Sequence, residues 1–226
     1  LVHKLTEVGV ALSSEKDEGT LLELILQGAR EITGADGGTL YTRTDADTLE
    51  FAIMFTETLG IHLGGTSGKE VKLPPIAMFD EDGTPNDHMV AANAAVSGRI
   101  VNVADAYDTG EFDFSGTREF DVRTGYRSQS FLTVPMRNHQ DEVIGVLQLL
   151  NARDSSGGVP RPFTNEEEAL VSSLASQAAI AMTNRALIEE QRALFEAFIQ
   201  LMAAAIDDKS PYTGGHCRRV PELTMM

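Results

Sequence analysis

The sequence predicts an α+β domain in which helices pack on one face of an antiparallel sheet and a long helix follows at the C-terminal end. Three observations predict this class. Apolar residues recur at helical spacing over the first 33 positions. Short β-branched and aromatic runs, separated by turn residues, fill the middle of the chain, and two of them read as a hairpin. Residues 164–207 contain neither Gly nor Pro.

The N-terminal segment predicts two helices. Residues 13–17 (Ser-Ser-Glu-Lys-Asp) interrupt the first apolar pattern and offer capping side chains for a second helix. Leu21, Ile25 and Ile32 belong to a wide apolar stripe on that second helix. Gly34 follows the last helical position, where glycine commonly ends a helix.

The middle of the chain predicts strands with two short helices between them. The segments predicted as strands are 38–43, 49–55, 71–73, 100–103, 130–136 and 143–150. Residues 138–141 form the turn of a hairpin between the last two. A short Ala-rich helix is predicted over 88–96, ended by Gly98, and 104–127 is predicted as a loop with one short helix. A hairpin of this kind favours an antiparallel sheet.

The long C-terminal helix begins with good capping residues. Thr164 and Asn165 precede three glutamates at 166–168, which suit the positive end of the helix dipole. Its second half carries apolar residues seven positions apart, namely Ile180, Leu187, Leu194 and Leu201, flanked by Ala181, Ile188, Phe195 and Met202. This repeat is typical of a coiled-coil seam and favours a parallel homodimer through the terminal helices. The alternative is a long helix packed on its own domain.

Composition excludes several classes of function. The chain has 18 Lys and Arg against 34 Asp and Glu, a net charge of −16, and no basic cluster, which argues against nucleic-acid binding and against an anionic membrane surface. No run of eighteen apolar residues predicts a membrane span. The single cysteine, Cys217, excludes a Cys-rich metal site and suits a cytoplasmic location. The first residue, Leu1, leads us to expect a piece of a longer protein.

Residues 102–130 are the strongest candidate for a binding region. Aromatic side chains alternate there with short polar ones; they are Tyr107, Phe112, Phe114, Phe120 and Tyr126. A ligand pocket combines apolar walls with a few directed donors and acceptors, so this mixture predicts a pocket lid. The alternative is a loop whose aromatic residues only attach it to the sheet.

Four segments together resemble a GAF domain. They are Asn102–Tyr107, Phe120–Ser128, Ser130–Met136 and Glu142–Asn151, and the resemblance covers about residues 5–185. It implies a six-stranded antiparallel sheet with helices on its back and a ligand pocket on its front. It also implies a regulatory domain that senses a small molecule.

Within that family the sequence is most similar to the cyclic-nucleotide-binding branch, which carries an Asn-Lys…Phe-x-x-x-Asp-Glu signature. The matching residues are Asn151, Phe163 and Glu168. Glu167 stands at the Asp position, and Ala152 stands at the Lys position next to Arg153. The Lys–Asp pair of the signature is therefore altered, and we expect it to be lost or taken over by Arg153.

The resemblance implies a set of ligand-binding residues. They are Val90, Ala91, Phe114, Phe120, Asp121, Thr124, Tyr126, Ser128 and Gln148. Asp121 and Thr124 correspond to positions near the base and phosphate, and Ser128 to a hydroxyl position. Gln148 stands where the family often has a Glu that reads the base. Val90 and Ala91 begin a short helix whose backbone N–H groups can hold a phosphate.

The C-terminal residues resemble the opening of an HD-GYP phosphodiesterase domain. Positions 210–220 read Ser-Pro-Tyr-Thr-Gly-Gly-His-x-x-Arg-Val, and His216 corresponds to a metal ligand of that family, which uses Fe or Mn. The catalytic His-Asp and Gly-Tyr-Pro motifs do not occur in these 226 residues. The chain itself is thus expected to hold no catalytic site and no cofactor.

These observations predict three parts: a GAF-like sensor with flanking helices at 1–185, a coiled-coil linker at 186–208, and the start of an HD-GYP domain at 209–226. The function predicted is a small-molecule sensor that controls a cyclic-di-GMP phosphodiesterase through a dimeric helix. The alternative is a dimerisation module of the same protein that binds no ligand.

Overall fold

The computed structural model describes residues 2–154 and 158–209. The chain divides into two compact units, with the boundary between Met182 and Thr183. The helices are α1 Val2–Ser14, α2 Glu18–Thr33, α3 Val90–Ser97, α4 Ser115–Thr124 and α5 Asn165–Lys209. The strands are β1 Ala35–Arg43, β2 Thr48–Thr56, β3 Ile61–Gly64, β4 Ile76–Ala77, β5 Val101–Val103, β6 Phe131–Arg137 and β7 Val143–Ala152.

The strands form one antiparallel sheet. Six of them follow the order β3-β2-β1-β7-β6-β5, and the two-residue strand β4 adds to β2 beside them. Strands β1 and β7 lie at the centre and pair with each other. This arrangement confirms the predicted α+β class with helices on one face and a long C-terminal helix.

Local capping explains where the predicted helices begin and end. The Asp17 carboxylate accepts a hydrogen bond of 2.8 Å from the Thr20 N–H and so starts α2. Gly34 ends α2 and Gly98 ends α3, with φ of 65° and 61°. Residues with a Cβ rarely adopt that left-handed conformation, so both glycines act as the stop signals that the sequence predicts.

The main core lies on the back face of the sheet. Leu40 of β1 and Leu147 and Leu149 of β7 are fully buried there against α2 and the first part of α5. Helix α5 contributes small residues such as Ala175 and Ala178, which are also fully buried. Burial of such side chains typically contributes about 1.5–3 kcal/mol for each large aliphatic group.

The front face is covered only in part. Helix α3 packs Ala91 and Ala95 against Tyr41 and Val146 at one end of the sheet. At the other end, the loop after β5 places Phe114 against Phe131 in a separate apolar cluster, with ring centroids 5.1 Å apart. Two small clusters therefore stand where the back face has one continuous core.

One predicted strand is wrong. Residues 71–73 form no strand, and the short strands that pair with β2 besides β1 are residues 61–64 and 76–77. Pro74 and Pro75 follow the predicted segment, and proline has no N–H for a strand ladder. The glycine-rich turn after β3 closes with a 2.7 Å hydrogen bond from the Gly64 N–H to the Lys69 carbonyl oxygen.

The predicted long helix is confirmed as a single helix of 45 residues. In the second unit, many of its large apolar side chains are exposed, with Leu194 at 65% and Leu201 at 70%. Within the described ranges, no helix is long and apolar enough to cross a membrane. His216 lies outside the described residues.

Candidate functional site

A row of side chains crosses the front face at mid-strand, one from each of six strands. Residues that pair directly across antiparallel strands point to the same face of a sheet. The row, called here the front-face row, consists of Leu63, Met54, Thr39, Gln148, Thr133 and Val101. All are half-buried except Thr133, which is fully buried. The neighbouring back-face row, by contrast, is buried throughout from Ile53 to Val134.

The centre of the front-face row is polar. Gln148 donates from Nε2 to the Thr133 hydroxyl oxygen at 3.1 Å, and its Oε1 accepts from the Tyr41 hydroxyl at 3.3 Å. Burial raises the pKa of Tyr41 well above its ordinary value, so its hydroxyl remains protonated. An amide that is held in this way can read a ligand edge that carries one donor and one acceptor.

Two of the predicted site residues, Val90 and Ala91, begin α3 and are buried. Val90 packs in the same apolar cluster as Phe114, whereas Ala91 packs with Tyr41 in the other cluster. The side chains of these three predicted residues therefore form the walls at the two ends of the front face.

Asp121 and Ser128 are brought together, and they bind each other. The Asp121 carboxylate is 2% exposed and accepts hydrogen bonds from the Ser128 N–H at 2.7 Å and the Ser128 hydroxyl at 2.8 Å. It also accepts one from the Tyr107 hydroxyl at 2.8 Å, and this bond raises the pKa of Tyr107. Asp121 thus anchors α4 to the segments on either side of it.

Thr124 and Phe120 lie on α4 outside that polar network. Thr124 is exposed, and its hydroxyl donates to the carbonyl oxygen of Phe120 at 2.8 Å. The half-buried Phe120 ring carries the Arg123 guanidinium 5.7 Å from its centroid. The structure therefore does not join Thr124 to Gln148 through hydrogen bonds.

Tyr126 belongs to a buried network at the end of the central strands. Its hydroxyl donates a hydrogen bond to the Asp36 carboxylate and accepts one of 2.8 Å from Asn151 Nδ2. Burial, followed by the bond to Asp36, raises the pKa of Tyr126. Asn151 also accepts the Gln129 N–H at 2.7 Å, and Arg153 pairs with Asp36 at 3.2 Å. The network ties the segment after α4 to β1 and β7.

Arg153 does not replace the lysine of the signature's Lys–Asp pair, so that expectation is wrong. Arg153 pairs with Asp36, and Glu167 pairs instead with Arg161 at 2.6 Å. Burial raises the pKa of Glu167, but hydrogen bonds from Arg161 and from Thr164 outweigh it, so that the pKa is lowered overall. Glu167 at the start of α5 therefore still forms an ion pair, but with Arg161. Arg161 lies ten positions after Asn151, outside the positions that the signature compares.

Sequence reasoning missed Asp36, Thr39, Tyr41 and Thr133. The alternation of the first strand does place Thr39 and Tyr41 on one face. Which residues of other strands they meet depends on strand order and register, and no local pattern specifies those.

A separate cleft of about 460 Å³ lies on the helical side, between α2 and β2. Arg30 closes one wall: its guanidinium lies 4.0 Å from the centroid of the Phe55 ring and pairs with Glu57 at 2.8 Å. Over the residues that the structure describes, no group of three or more His, Cys, Asp or Glu side chains could hold a metal ion.

Comparison with known families agrees with this architecture. The sequence model described as "GAF domain" matches residues 17–182. The chain belongs to the GAF domain family. The GAF domain is a regulatory domain that senses small molecules, and its sheet, with an incompletely covered front face, occupies the first unit of the chain.

Two curated relatives of this GAF domain are large enzymes. A dual 3',5'-cyclic-AMP and -GMP phosphodiesterase 11A from Takifugu rubripes is 35% identical over 98 residues, which is 43% of this chain. A dual 3',5'-cyclic-AMP and -GMP phosphodiesterase 11 from Drosophila melanogaster is 31% identical over 103 residues, or 46% of this chain. The matches span 10% and 6% of the length of those proteins.

Solved structures share the GAF fold at low identity. The GAF domain of a phosphoenolpyruvate-protein phosphotransferase from Coxiella burnetii has a TM-score of 0.62 at 16% identity, covering 84% of this chain and 96% of its own. A GAF domain/HD domain protein from Geobacter sulfurreducens has a TM-score of 0.51 at 17% identity, covering 78% of this chain and 98% of its own.

Proposed function

We propose that this GAF domain binds a cyclic nucleotide on its front face and thereby regulates a C-terminal HD-GYP cyclic-di-GMP phosphodiesterase. The observation that carries the proposal is the half-buried Gln148 amide, held by Tyr41 and Thr133 at the polar centre of the front-face row, whose outer members are apolar. A purine edge offers one donor beside one acceptor, which a primary amide complements.

Apolar neighbours favour a flat ligand. Met54 and Leu63 of the front-face row, with Leu150 nearby on β7, are half-buried on that face. Side chains of this kind can cover the two faces of a base, while the amide pairs with its edge. The proposal is further supported by the two curated relatives, which are named for acting on cyclic AMP and cyclic GMP.

The output is proposed to run through α5. This helix is continuous from Asn165, beside the sensor core, to Lys209. A ligand shifts such a helix only through a difference in its affinity for two helix arrangements. The exposed apolar side chains at Leu187, Leu194 and Leu201 support a parallel homodimer as the element that has those two arrangements.

The enzyme itself is proposed to lie C-terminal to this chain, in the cytoplasm. The 210–220 motif is the basis for an HD-GYP domain, and any Fe or Mn ion belongs to that domain, with His216 among its ligands. The Geobacter neighbour is named for a GAF domain together with an HD domain, which is consistent with such a combination.

Calorimetry tests the sensor proposal. Residues 1–226 are titrated with cyclic AMP and with cyclic GMP, alongside the variants Gln148→Leu and Gln140→Leu. Gln140 is exposed in the β6–β7 turn and serves as the matched control. We expect one nucleotide to bind, Gln148→Leu to weaken binding at least about tenfold, and Gln140→Leu to bind normally. No binding of either nucleotide would show that the ligand proposal is wrong.

The exposed face of α5 favours one other function, a dimerisation module that binds no ligand. Phe195 and Leu201 are 64% and 70% exposed, which is unusual for side chains of that size. This alternative predicts a dimer by analytical ultracentrifugation and no heat of binding when cyclic AMP or cyclic GMP is titrated. Leu194→Glu combined with Leu201→Glu gives monomers under either function, so only the titration separates the two.

A further inference from the structure

Two exposed amide side chains lie along the middle of the exposed apolar stripe of α5. Asn184 and Gln191 are seven residues apart, so at about 3.6 residues per turn they lie on the same line of the helix. The residues three and four positions before and after Gln191 are all large, apolar and exposed; they are Leu187, Ile188, Leu194 and Phe195. An amide therefore interrupts a surface that is otherwise apolar.

The charged side chains of residues 183–206 lie away from this stripe. At about 100° per residue, each is about 100° or more around the helix from the line of Gln191; they are Arg185, Glu189, Glu190, Arg192 and Glu196. Arg185 pairs with Glu189 at 3.5 Å, and Arg192 pairs with Glu196 at 3.0 Å, both within the helix. The chain has a net charge of −16, so the uncharged stripe is where two copies can approach with least repulsion.

The spacing matches the core positions of a two-stranded coiled coil. Leu187, Leu194 and Leu201 repeat every seven residues, and Gln191 and Phe198 stand three positions before the last two leucines. The leucines then occupy the d positions of the heptad, and the amides occupy a positions. A polar residue at an a position specifies register and the number of strands, at a cost in stability.

We propose that the amides of Asn184 and Gln191 pair with the same residues of a second copy of this chain and thereby fix a parallel, in-register, two-stranded coiled coil of α5. The inference rests on the homodimer of the proposed function and is independent of the ligand. An amide both donates and accepts, so two like amides can hydrogen-bond across the seam. Sliding one helix by seven residues places Gln191 against Phe198 of the other copy, and the buried amide then loses its partner.

Sedimentation equilibrium of residues 1–226 tests the number of strands. The double variant Asn184→Leu, Gln191→Leu is compared with Gln200→Leu. Gln200 is the matched control, because it is exposed and lies nine residues from Gln191, about 180° around the helix. We expect a dimer for the natural sequence and for the control. The double variant should associate at least about tenfold more tightly and include trimers or tetramers, since no polar group then limits the number of strands.

Two results of this measurement overturn the proposal. The first is a natural sequence that stays monomeric, which also contradicts the homodimer of the proposed function. The second is a double variant that remains strictly dimeric, which contradicts the role of the amides and leaves the homodimer in place.

Disulfide cross-linking tests the register. Cys217→Ser removes the natural thiol, and Leu201→Cys places one thiol on the stripe. In a parallel, in-register dimer the two thiols face each other, so we expect a linked dimer in a glutathione redox buffer. In an antiparallel or slipped dimer, or where a different protein covers the stripe, the thiols stay apart, and the absence of linkage overturns the proposal.

The same cross-link then tests the amides themselves. Adding Asn184→Leu and Gln191→Leu to the thiol variant should lower the linked fraction at least about twofold, because slipped registers are no longer penalised. Gln191→Asn keeps an amide at that position and should keep the linkage. An unchanged linked fraction in the leucine variant overturns the proposal. Should that variant fail to fold, Asn184→Ala with Gln191→Ala replaces it, and the same loss of linkage is expected.

The outcome is separate from that of the nucleotide titration. If neither cyclic AMP nor cyclic GMP binds while linkage follows the amides, the ligand proposal alone is wrong. If a nucleotide binds while linkage ignores the amides, the present inference alone is wrong.

Discussion

The two faces of the sheet use the same strands for opposite purposes. On the back face, Leu40 and Leu147 pair across β1 and β7 and are fully buried under helices. On the front face, their neighbours Thr39 and Gln148 pair in the same way but remain half-buried and polar. Alternation along a strand thus lets one face supply stability while the other is kept for a ligand.

The largest expected effect on the free energy of unfolding comes from a substitution in the back-face core. Leu147→Ala removes a fully buried side chain from the centre of the main core, and we expect a loss of about 3 kcal/mol in the free energy of unfolding. Chemical denaturation measures it. A loss below about 1 kcal/mol would mean that the core relaxes around the cavity and that the back face is less rigid than its packing indicates.

The next effect is on the front face, at Asp121. Asp121→Ala leaves the Ser128 N–H and the Tyr107 hydroxyl without their acceptor, and we expect a loss of about 2 kcal/mol. Hydrogen exchange should rise in residues 115–128. Asp113→Ala, just before the same helix, is the control: its exposed carboxylate accepts from the Ser115 N–H at the start of α4, so a smaller loss is expected. Equal losses would contradict the anchoring role of Asp121.

Acid pH provides a third test, at the start of α5. The folded pKa of Glu167 is lowered, so its ionised form stabilises the fold above its unfolded pKa, and this contribution is lost as the pH falls through the folded pKa. In Glu167→Gln that part of the acid destabilisation should be absent, as followed by thermal melts across acidic pH. Glu168→Gln, which leaves the Arg161 pair intact, should keep the pH dependence.

The smallest effect sharpens the contrast between the faces. Met54→Ala shortens a half-buried member of the front-face row, and we expect a loss below about 1 kcal/mol because little apolar area leaves a packed environment. Nucleotide titration of the same variant should show weaker binding. A loss as large as that of Leu147→Ala would indicate that the front face is a second packed core and not a binding surface.

Much of the fold could be predicted from local sequence, and much of the site could not. Capping residues and the absence of Gly and Pro located α2 and α5 correctly. Asp121 and Ser128 were predicted as ligand contacts, and the structure shows them bonded to each other. These two residues lie seven positions apart, on either side of the end of α4. Whether they meet depends on the path of the chain after the helix, which the periodicity of the sequence does not predict.

The sequence by itself determined the class of the fold, the places where most helices begin and end, and the continuity of α5, because these follow from capping, periodicity and breaker residues within a few positions. Only the tertiary structure decided that Arg161 pairs with Glu167, and that Gln148 lies between Tyr41 and Thr133. Gln148, Tyr41 and Thr133 are brought together by strand order and register, which arise from packing the whole sheet at once. Arg161 reaches Glu167, six residues further on, through the path of the segment that precedes α5.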